Sequence, residues 1–501
     1  MVAGISTGSG GTTTTTKKFV MLLLLVLSVS TSCTTTTVSR RHDINKHYQT
    51  FTPHSLPSSY ASLDLSNENN LMATSSDSEN ASDSSNSLSI DLHHVDTLIY
   101  STSTITTKND PETLFKNRLT RDSVRVKSIL KSVSNRTSGD FSSSVISGLA
   151  QGSGEYFTRI GIGSPPRYSY MVLDTGSDVV WIQCSPCRRC YTQTDPIFNP
   201  SKSNSFGHVP CRTSLCNRLD SPGCNTKSNK CMYQVSYGDG SFTIGEFSTE
   251  TLTFRKTKVN NVAFGCGHDN QGLFVGAAGL LGLGRGKLSF PNQAGRQFGS
   301  KFSYCLVDRS MSSKPSSLVF GNGAVSRVAR FTPLLNNPKM DTFYYLGLTG
   351  FSVGGARVAG ITSSLFQLDT KSGNGGVIID SGTSVTRLTR PAYVALRNAF
   401  LSGASHLKRG PNFSLFDACF DLSGKTEVKV PTVVMHFKGG ADVSLPASNY
   451  LIPVDSSGSF CFAFAGTSTG LSIIGNIQQQ GFRVVYDLAG SRVGFAPKSC
   501  A

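Results

Sequence analysis

Val-Leu-Asp-Thr-Gly-Ser, at residues 172–177, returns in near copy at residues 378–383 as Ile-Ile-Asp-Ser-Gly-Thr. The apolar pair is typical of a buried strand, and the glycine permits a tight turn. The hydroxyl groups can donate hydrogen bonds to a carboxylate that would otherwise be costly to bury. One copy alone would equally suit an ordinary aspartate at a strand end. Two copies in similar contexts predict a functional pair, Asp174 and Asp380.

The segments around the two motifs repeat as well. An aromatic strand precedes each copy, starting near Tyr156 and Tyr344, and an apolar-apolar-glycine strand follows each, at 280–282 and at 473–475. This internal duplication predicts two related lobes, at residues 155–331 and 332–501, each of which contributes one aspartate.

The composition favours a mostly β fold. Only 16 % of the 501 residues are charged, glycine is abundant at 49 residues, and phenylalanine and tyrosine are plentiful. The formal net charge is +16, which would suit an acidic polymer such as nucleic acid. Because the basic residues are scattered and no Lys/Arg block has interleaved aromatics, we do not expect a nucleic-acid partner.

Residues 1–33 are typical of a signal peptide. Lys17 and Lys18 precede an apolar segment at 19–30 that is too short to span a bilayer, and small residues follow it. The long, acid-free, Thr-rich beginning also suits an organelle transit peptide, although such peptides lack an apolar core. No later stretch is long and apolar enough for a membrane span.

Residues 34–150 are interpreted as a pro-region. From 34 to 109 the chain is too polar to fold alone, and 142–154 is a Ser/Gly-rich linker suited to processing. Between them, 110–133 predicts a basic amphipathic helix. This helix is either a solvated surface helix or a removable segment whose cations cover acidic catalytic groups. Its apolar residues are Leu114, Phe115, Leu119, Val126, Ile129 and Leu130, and its basic residues are Lys116, Arg118, Arg121, Arg125, Lys127 and Lys131.

Thirteen cysteines are present, and Cys33 lies at the end of the leader. An even set remains, which in a secreted chain predicts six disulfides. Seven of the twelve lie between Cys184 and Cys231, so at least one must pair outside that cluster. The Cys-x-x-Cys-x-x-Cys spacing at 184–190 could also hold zinc or an iron–sulfur cluster, but the secretory leader favours disulfides. The twelve candidates are Cys184, Cys187, Cys190, Cys211, Cys216, Cys224, Cys231, Cys266, Cys305, Cys419, Cys461 and Cys500, with Cys419 and Cys461 expected to pair.

Two aspartates held close together cannot both ionise freely, so they share one proton. The ionised member can take a proton from water while the protonated member polarises a peptide carbonyl. This chemistry needs no metal and no cofactor, and none is expected.

Further motifs give the chain a family resemblance. Trp181, the only tryptophan, lies seven residues after Asp174, and Tyr237 and Gly238 lie in a Ser-Tyr-Gly-Asp-Gly-Ser segment typical of a β-hairpin flap. With the duplicated aspartate motif and the cysteine-rich insert, these features make the chain resemble the pepsin-type aspartic endopeptidases. The insert is similar to that of the nepenthesin-like plant branch, to which the guard-cell aspartic proteases belong. The resemblance covers about 345 residues.

The resemblance implies a bilobal, pepsin-like acid protease fold, with two β-barrel-like lobes and the active site between them. It implies that Tyr237 and Gly238 belong to a flap that closes on substrate, with Trp181 as the partner of Tyr237. Core packing of Trp181 and an exposed hairpin tyrosine are the alternatives. It also implies a catalytic Asp174/Asp380 dyad, supported by Thr175, Gly176, Ser177, Ser381, Gly382 and Thr383.

Taken together, these features predict a secreted endopeptidase that is made as a zymogen and works as a monomer at acidic pH on proteins or peptides. We expect it in the secretory pathway, in the apoplast, endoplasmic reticulum or vacuole, with the plastid as alternative. Glycosylation acceptors are predicted at Asn80, Asn135 and Asn412. The main rival is a catalytically silent protein of the same fold that binds or inhibits cell-wall hydrolases. A third hypothesis, a nucleic-acid-binding protease of an organelle, is supported only by the positive net charge and the unusual leader.

Overall fold

The structure is a computed structural model. It describes residues 47–56, 87–94, 111–134, 156–236, 241–272, 274, 276–307, 316–497 and 499–500. All of these belong to the unit that spans 43–501. Within them the helices are α1 (Pro111–Ser134), α2 (Phe290–Gln293), α3 (Gly295–Phe298) and α4 (Arg390–Gly403). The helix predicted at 110–133 corresponds to α1.

The remaining elements are mainly short strands. The first lobe, with two strands that precede it, contains β1 (Tyr48–Phe51), β2 (Ser87–His94), β3 (Tyr156–Ile162), β4 (Arg167–Asp174), β5 (Trp181–Gln183), β6 (Gly207–His208), β7 (Gly223–Asn225), β8 (Lys230–Ser236), β9 (Phe242–Phe254), β10 (Thr257–Gln271), β11 (Gly279–Gly282), β12 (Lys301–Cys305) and β13 (Ser316–Gly321). The second lobe contains β14 (Arg330–Leu335), β15 (Tyr344–Leu346), β16 (Leu348–Val353), β17 (Ala356–Arg357), β18 (Val377–Ile379), β19 (Thr386–Thr389), β20 (Cys419–Asp421), β21 (Val428–Pro431), β22 (Val433–Phe437), β23 (Asp442–Leu445), β24 (Leu451–Pro453), β25 (Ser459–Phe462), β26 (Phe464–Thr467), β27 (Ser472–Ile474), β28 (Phe482–Asp487) and β29 (Arg492–Pro497).

The duplicated motifs occupy equivalent places in the two lobes. Strand β4 pairs in parallel with β11, which sets Asp174 opposite Gly282. Strand β18 pairs in parallel with β27, the second apolar-apolar-glycine strand. Both central strands are buried, as expected for parallel pairs made of continuous apolar residues. Each lobe thus delivers its aspartate at the end of a buried strand.

A shared sheet joins the lobes. Its strand order is β2-β13-β12-β28-β29-β14, so strands of the first lobe pair directly with strands of the second. Strand β14 crosses the boundary predicted at 331/332. Backbone hydrogen bonds run continuously across this sheet. It therefore holds the two lobes, and with them the two aspartates, in a fixed relative position.

Two strands of the pro-region were not predicted from the sequence. Strand β1 pairs with β21 over four residues, and β2 pairs with β13 over six. In β2 the residues alternate between exposed and buried positions, with Leu88, Ile90 and Leu92 buried. The segment is polar on average, but this local alternation is enough to complete a sheet that the lobes already provide.

Within the described residues, six disulfides link strands and loops. Cys419 and Cys461 are directly opposite on β20 and β25 and form the pair expected from the sequence. Cys184 pairs outside its cluster, with Cys266, as the odd count required. The Cys-x-x-Cys-x-x-Cys segment is thus used for disulfides. The other pairs are Cys187–Cys190, Cys211–Cys224, Cys216–Cys231 and Cys305–Cys500.

Loop closure predicts unequal contributions from these disulfides. The variant C419A/C461A removes a link between residues 42 apart and should lower the free energy of unfolding by about 4 kcal/mol. The control C187A/C190A removes a link between residues 3 apart and should cost about 2 kcal/mol. Urea unfolding of both variants measures the difference, and equal losses would contradict the assignment of the larger role to Cys419–Cys461.

Candidate active site

The two aspartates lie side by side at the meeting point of the lobes, and both side chains are fully buried. Asp174 ends β4 and its carbonyl accepts a hydrogen bond from the Leu283 amide at 2.7 Å. Asp380 follows β18, and its amide donates to the carbonyl of Ile474 at 3.1 Å. The repeated apolar-apolar-glycine strands therefore hold the backbone of both aspartates.

Donors from the same motifs fix the carboxylates. The amide of Gly176 donates to Asp174 Oδ1 at 2.9 Å, and the amide of Gly382 donates to Asp380 Oδ1 at 3.1 Å. Thr383 Oγ1 donates to Asp380 Oδ2 at 2.6 Å. These hydrogen bonds replace the water that burial removes from the charged groups.

The two motif loops also bond to each other. The Ser381 amide donates to Thr175 Oγ1 at 2.8 Å, and the Thr175 amide approaches Ser381 Oγ at 3.4 Å. Because each hydroxyl belongs to the opposite lobe, this reciprocal contact sets the spacing of the two carboxylates.

A cation of the pro-region lies between the carboxylates. Arg125, on α1, is fully buried; its Nη2 donates to Asp174 Oδ1 at 2.7 Å and to Asp380 Oδ1 at 2.9 Å, and its Nε donates to Asp380 Oδ2 at 2.9 Å. Burial alone would lower the pKa of Arg125, but the charges of the two aspartates and their hydrogen bonds raise it overall above its ordinary value. The guanidinium therefore stays charged.

Both motif glycines leave room for this cation. A Cβ on Gly382 would lie 2.4 Å from the guanidinium carbon of Arg125, and one on Gly176 would lie 2.8 Å from its Nη2. A side chain at either position would collide with the ion pair. The glycines thus serve close approach to the carboxylates as well as the turn.

A second buried ion pair anchors α1. Asp122 accepts a hydrogen bond from Arg387 Nη2 at 2.6 Å and another from the Ser384 amide at 2.5 Å. Arg118 reaches Ser384 Oγ and Asn476 Oδ1, both at 3.4 Å. Sequence reasoning did not single out Asp122. The sequence signal that could have identified it is its position, one turn before Arg125 on the same helix.

The apolar side of α1 packs on the second lobe. Phe115 and Leu119 share a buried cluster with Val385 and Phe416. Farther along the helix, Val126 and Ile129 belong to a cluster with Met340, Phe343 and Tyr345. Of the two interpretations of this helix, a solvated surface helix does not fit this burial.

The other predicted site residues have different surroundings. Trp181 is buried and packs edge-on against Phe274 and Tyr191. Ser177 Oγ is buried and has no hydrogen-bond partner within the described parts of the chain, so it does not support a carboxylate here. Tyr237 and Gly238, the predicted flap residues, lie outside the described residues. Asn412 is exposed, while Asn80 and Asn135 lie outside the described residues.

Asp178 is a further acidic group that the sequence analysis passed over. Its carboxylate accepts hydrogen bonds from Thr342 Oγ1 at 2.7 Å and from the Gly286 amide at 2.8 Å, and so links the lobes close to the dyad. Burial raises the pKa of Asp178 to about 7, against the lowering effect of those two hydrogen bonds.

The described residues contain no candidate metal site. Within them, no group of three His, Cys, Asp or Glu side chains is placed to hold a metal ion. None of the helices that the structure describes is long and apolar enough to cross a membrane.

Comparisons with known proteins show the family of the chain. Two family models match the chain, one described as xylanase inhibitor N-terminal at residues 156–322 and one as xylanase inhibitor C-terminal at 343–497. Aspartyl protease family protein 2 of Arabidopsis thaliana is 69 % identical over 424 residues, which are 83 % of this chain and 86 % of that protein. The chain belongs to the aspartic protease family. It is also 52 % identical to the Arabidopsis Protein ASPARTIC PROTEASE IN GUARD CELL 2, over 76 % of this chain and 82 % of that protein.

A further relative and two solved structures extend the match. Aspartic proteinase nepenthesin-1 of Nepenthes gracilis is 44 % identical, over 72 % of this chain and 81 % of that protein. The crystal structure of edgp superposes with a TM-score of 0.55 at 22 % identity and covers 68 % of this chain and 91 % of its own. Basic 7S globulin from soybean gives 0.54 at 20 % identity and covers 69 % and 95 %. These two likenesses confirm the two-lobed, mostly β fold.

The raised pKa of Asp178 predicts a pH-dependent stability. Between about pH 4 and 7 the unfolded chain has lost this proton while the folded chain keeps it, so the free energy of unfolding falls as pH rises. Three pH units at about 1.4 kcal/mol each would give about 4 kcal/mol, and partial exposure of the side chain reduces this to about 2 kcal/mol. The variant Asp178→Asn does not titrate: its carbonyl oxygen can accept from the Gly286 amide, and its NH2 group can donate to Thr342 Oγ1. We expect the stability of the wild type relative to this variant to fall by that amount from pH 4 to 7.

Urea unfolding at pH 4, 5.5 and 7 measures this difference. Glu427→Gln, at an exposed carboxylate, is the control and should give a difference that does not change over this range. A constant difference between the wild type and Asp178→Asn would show that the carboxyl group is not buried as described.

Proposed function

We propose that this aspartic protease is a secreted endopeptidase, made as an inactive precursor, in which Asp174 and Asp380 share one proton and activate a water molecule. The observation that carries the proposal is that a single nitrogen, Nη2 of Arg125, donates to carboxylates of both lobes at 2.7 and 2.9 Å. Two carboxylates this close form a coupled pair.

The reaction follows from the pair once Arg125 has left. Water occupies the position between the carboxylates, the ionised member takes its proton, and the resulting hydroxide bonds to the peptide carbonyl carbon. The protonated member gives its proton to the carbonyl oxygen. The ionised carboxylate then takes a proton from one hydroxyl of the tetrahedral intermediate, while the protonated carboxyl gives its proton to the amide nitrogen and the carbon–nitrogen bond breaks. This releases an acid and an amine and leaves one shared proton on the dyad.

On this proposal the precursor is inactive, because Arg125 occupies the place between the carboxylates that the catalytic water needs. Its ion pairs require ionised aspartates, whereas Arg125 itself stays charged. Acid therefore protonates the aspartates and weakens the docking of α1, and neutral pH strengthens it. The buried Asp122–Arg387 pair responds to acid in the same direction.

Several finer features belong to this proposal. They are passage through the secretory pathway to the apoplast or an intracellular compartment of that pathway, glycosylation at Asn412, a monomeric enzyme, and proteins or peptides with bulky apolar side chains as substrates. Residues 142–154, the expected processing linker, lie outside the described residues.

The dyad mechanism predicts the pH profile and the effect of one substitution. Acid-treated protein should cleave denatured globin best below about pH 5, and pepstatin should block it, because the dyad must keep one proton. Asp380→Asn removes one proton-transfer group and should lower kcat at least a thousandfold. Asp442→Asn, at an exposed carboxylate, is the matched control and should keep full activity.

The alternative is a silent protein of the same fold that binds another hydrolase. The two matched family models are described as xylanase inhibitors, which gives this alternative a specific basis. If the acid-treated, disulfide-intact protein cleaves no protein substrate but inhibits a xylanase, the protease proposal is wrong.

The autoinhibitory contact predicts faster activation of an Arg125→Gln precursor. This variant leaves two buried carboxylates without their cation, so α1 should dock more weakly. We expect activity at pH 6 to 7, where the wild-type precursor is silent, and a lag at pH 4 that is at least tenfold shorter. Lys127→Gln, at an exposed position on the same helix, should behave as the wild type. Equal lags for Arg125→Gln and the wild type would refute the inhibitory role.

A further inference from the structure

An open pocket lined by residues of both lobes has an unusual composition. Its volume is about 440 Å³. Three cationic side chains, two amides and one carboxylate form its walls, so the lining carries an excess of positive charge. These residues are Arg218, Arg285, Lys287, Asn292, Asn336 and Asp341.

The cations of this pocket are available to an external anion. Within the described residues, no carboxylate forms an ion pair with Arg218, Arg285 or Lys287. Arg285 is held in place because its Nη1 donates to the Leu335 carbonyl at 3.0 Å. Arg218 and Lys287 are exposed. A fixed guanidinium with two mobile cations nearby suits a carboxylate.

Both lobes and the cysteine-rich insert build the pocket. Arg218 ends the short helical turn Cys216–Arg218, which the Cys216–Cys231 disulfide ties to β8. The loop after β11 supplies Arg285, and the second lobe supplies Asp341. Asn292 Nδ2 donates to the carbonyls of Arg285 and Gly286 at 2.7 and 2.9 Å and so stiffens that loop.

The pocket adjoins the groove that α1 fills. The Arg285 amide donates to the Thr342 carbonyl at 2.8 Å, and Thr342 lies between Asp341 of the pocket and Phe343. Phe343 in turn belongs to the cluster that receives Ile129, about one helical turn beyond Arg125. A chain that replaced α1 and ran from the dyad past Phe343 would therefore reach the pocket.

We propose that this pocket binds an acidic side chain of the substrate, a few residues from the scissile bond. From Arg125 to Ile129 the helix advances about 6 Å, and Phe343 and Asp341 are two residues apart in the chain, which spans up to about 7 Å. An extended peptide advances about 3.3 Å per residue. The acidic residue then lies about three or four positions from the bond that is cut. This inference rests on the proposed function, because it needs a peptide in the groove.

The test uses the mature enzyme and pairs of fluorogenic peptides. Each pair has an apolar centre and differs only by Glu or Gln at one of the positions two to five residues to either side. At pH 5.5 the glutamate is ionised, and we expect kcat/KM about tenfold higher for Glu at one position. The variant R218Q/K287Q removes two of the three cations and keeps Arg285, so it should lower that ratio at least threefold. At pH 3 the preference should disappear in the wild type, because the glutamate is then protonated.

The matched control is R296Q/K425Q, which removes one exposed arginine and one exposed lysine elsewhere. It should keep the wild-type ratio, which separates the pocket from the general basic charge of the protein. If the Gln peptides are cleaved and no position prefers Glu, or if the ratio is unchanged in R218Q/K287Q, the pocket has been misassigned while the protease proposal stands. If no peptide of either kind is cleaved, the proposed function fails and this inference falls with it.

Discussion

Two carboxylates of like charge, buried side by side, are the constraint on which the rest of this structure depends. Each is costly to remove from water, and their mutual repulsion adds to the cost. The fold offsets this with motif amides, the Thr383 hydroxyl and, above all, the guanidinium of Arg125. The parallel strand pairs and the shared sheet keep the carboxylates from moving apart. The charge balance, the turn geometry and the packing of the lobes thus all hold the same buried carboxylate pair.

The segments that precede the first lobe contact this constraint at several points. Helix α1 buries an apolar side against the second lobe and carries Arg125 and Asp122 into contact with charged partners of opposite sign. Strand β1 pairs with β21, and β2 pairs with β13 at the edge of the shared sheet. Because removal of one partner of a buried ion pair leaves an uncompensated charge, the two ion pairs of α1 hold this helix against the lobes.

The cysteine-rich insert has a structural role of its own. Four of the six disulfides involve cysteines between 184 and 231, and they hold loops with little regular structure against the first lobe. Such loops have few backbone partners, so covalent links replace the missing sheet contacts. One of them presents Arg218 beside Arg285 and Lys287. The insert therefore forms part of the wall of the cationic pocket and also stabilises the first lobe.

The two-lobed β fold, the pairing of Asp174 with Asp380 and the basic helix were predictable from the residues alone, because each has a strong local signal: a duplicated motif or a 3.6-residue periodicity. The Cys419–Cys461 pair was predicted as well. The folded chain was needed to show that Arg125, among six basic residues of the helix, lies between the carboxylates, that Asp122 meets Arg387, and that β2 pairs at the edge of the shared sheet. These contacts join residues far apart in the chain. Nothing in a local pattern specifies such distances, since they follow from how the lobes pack.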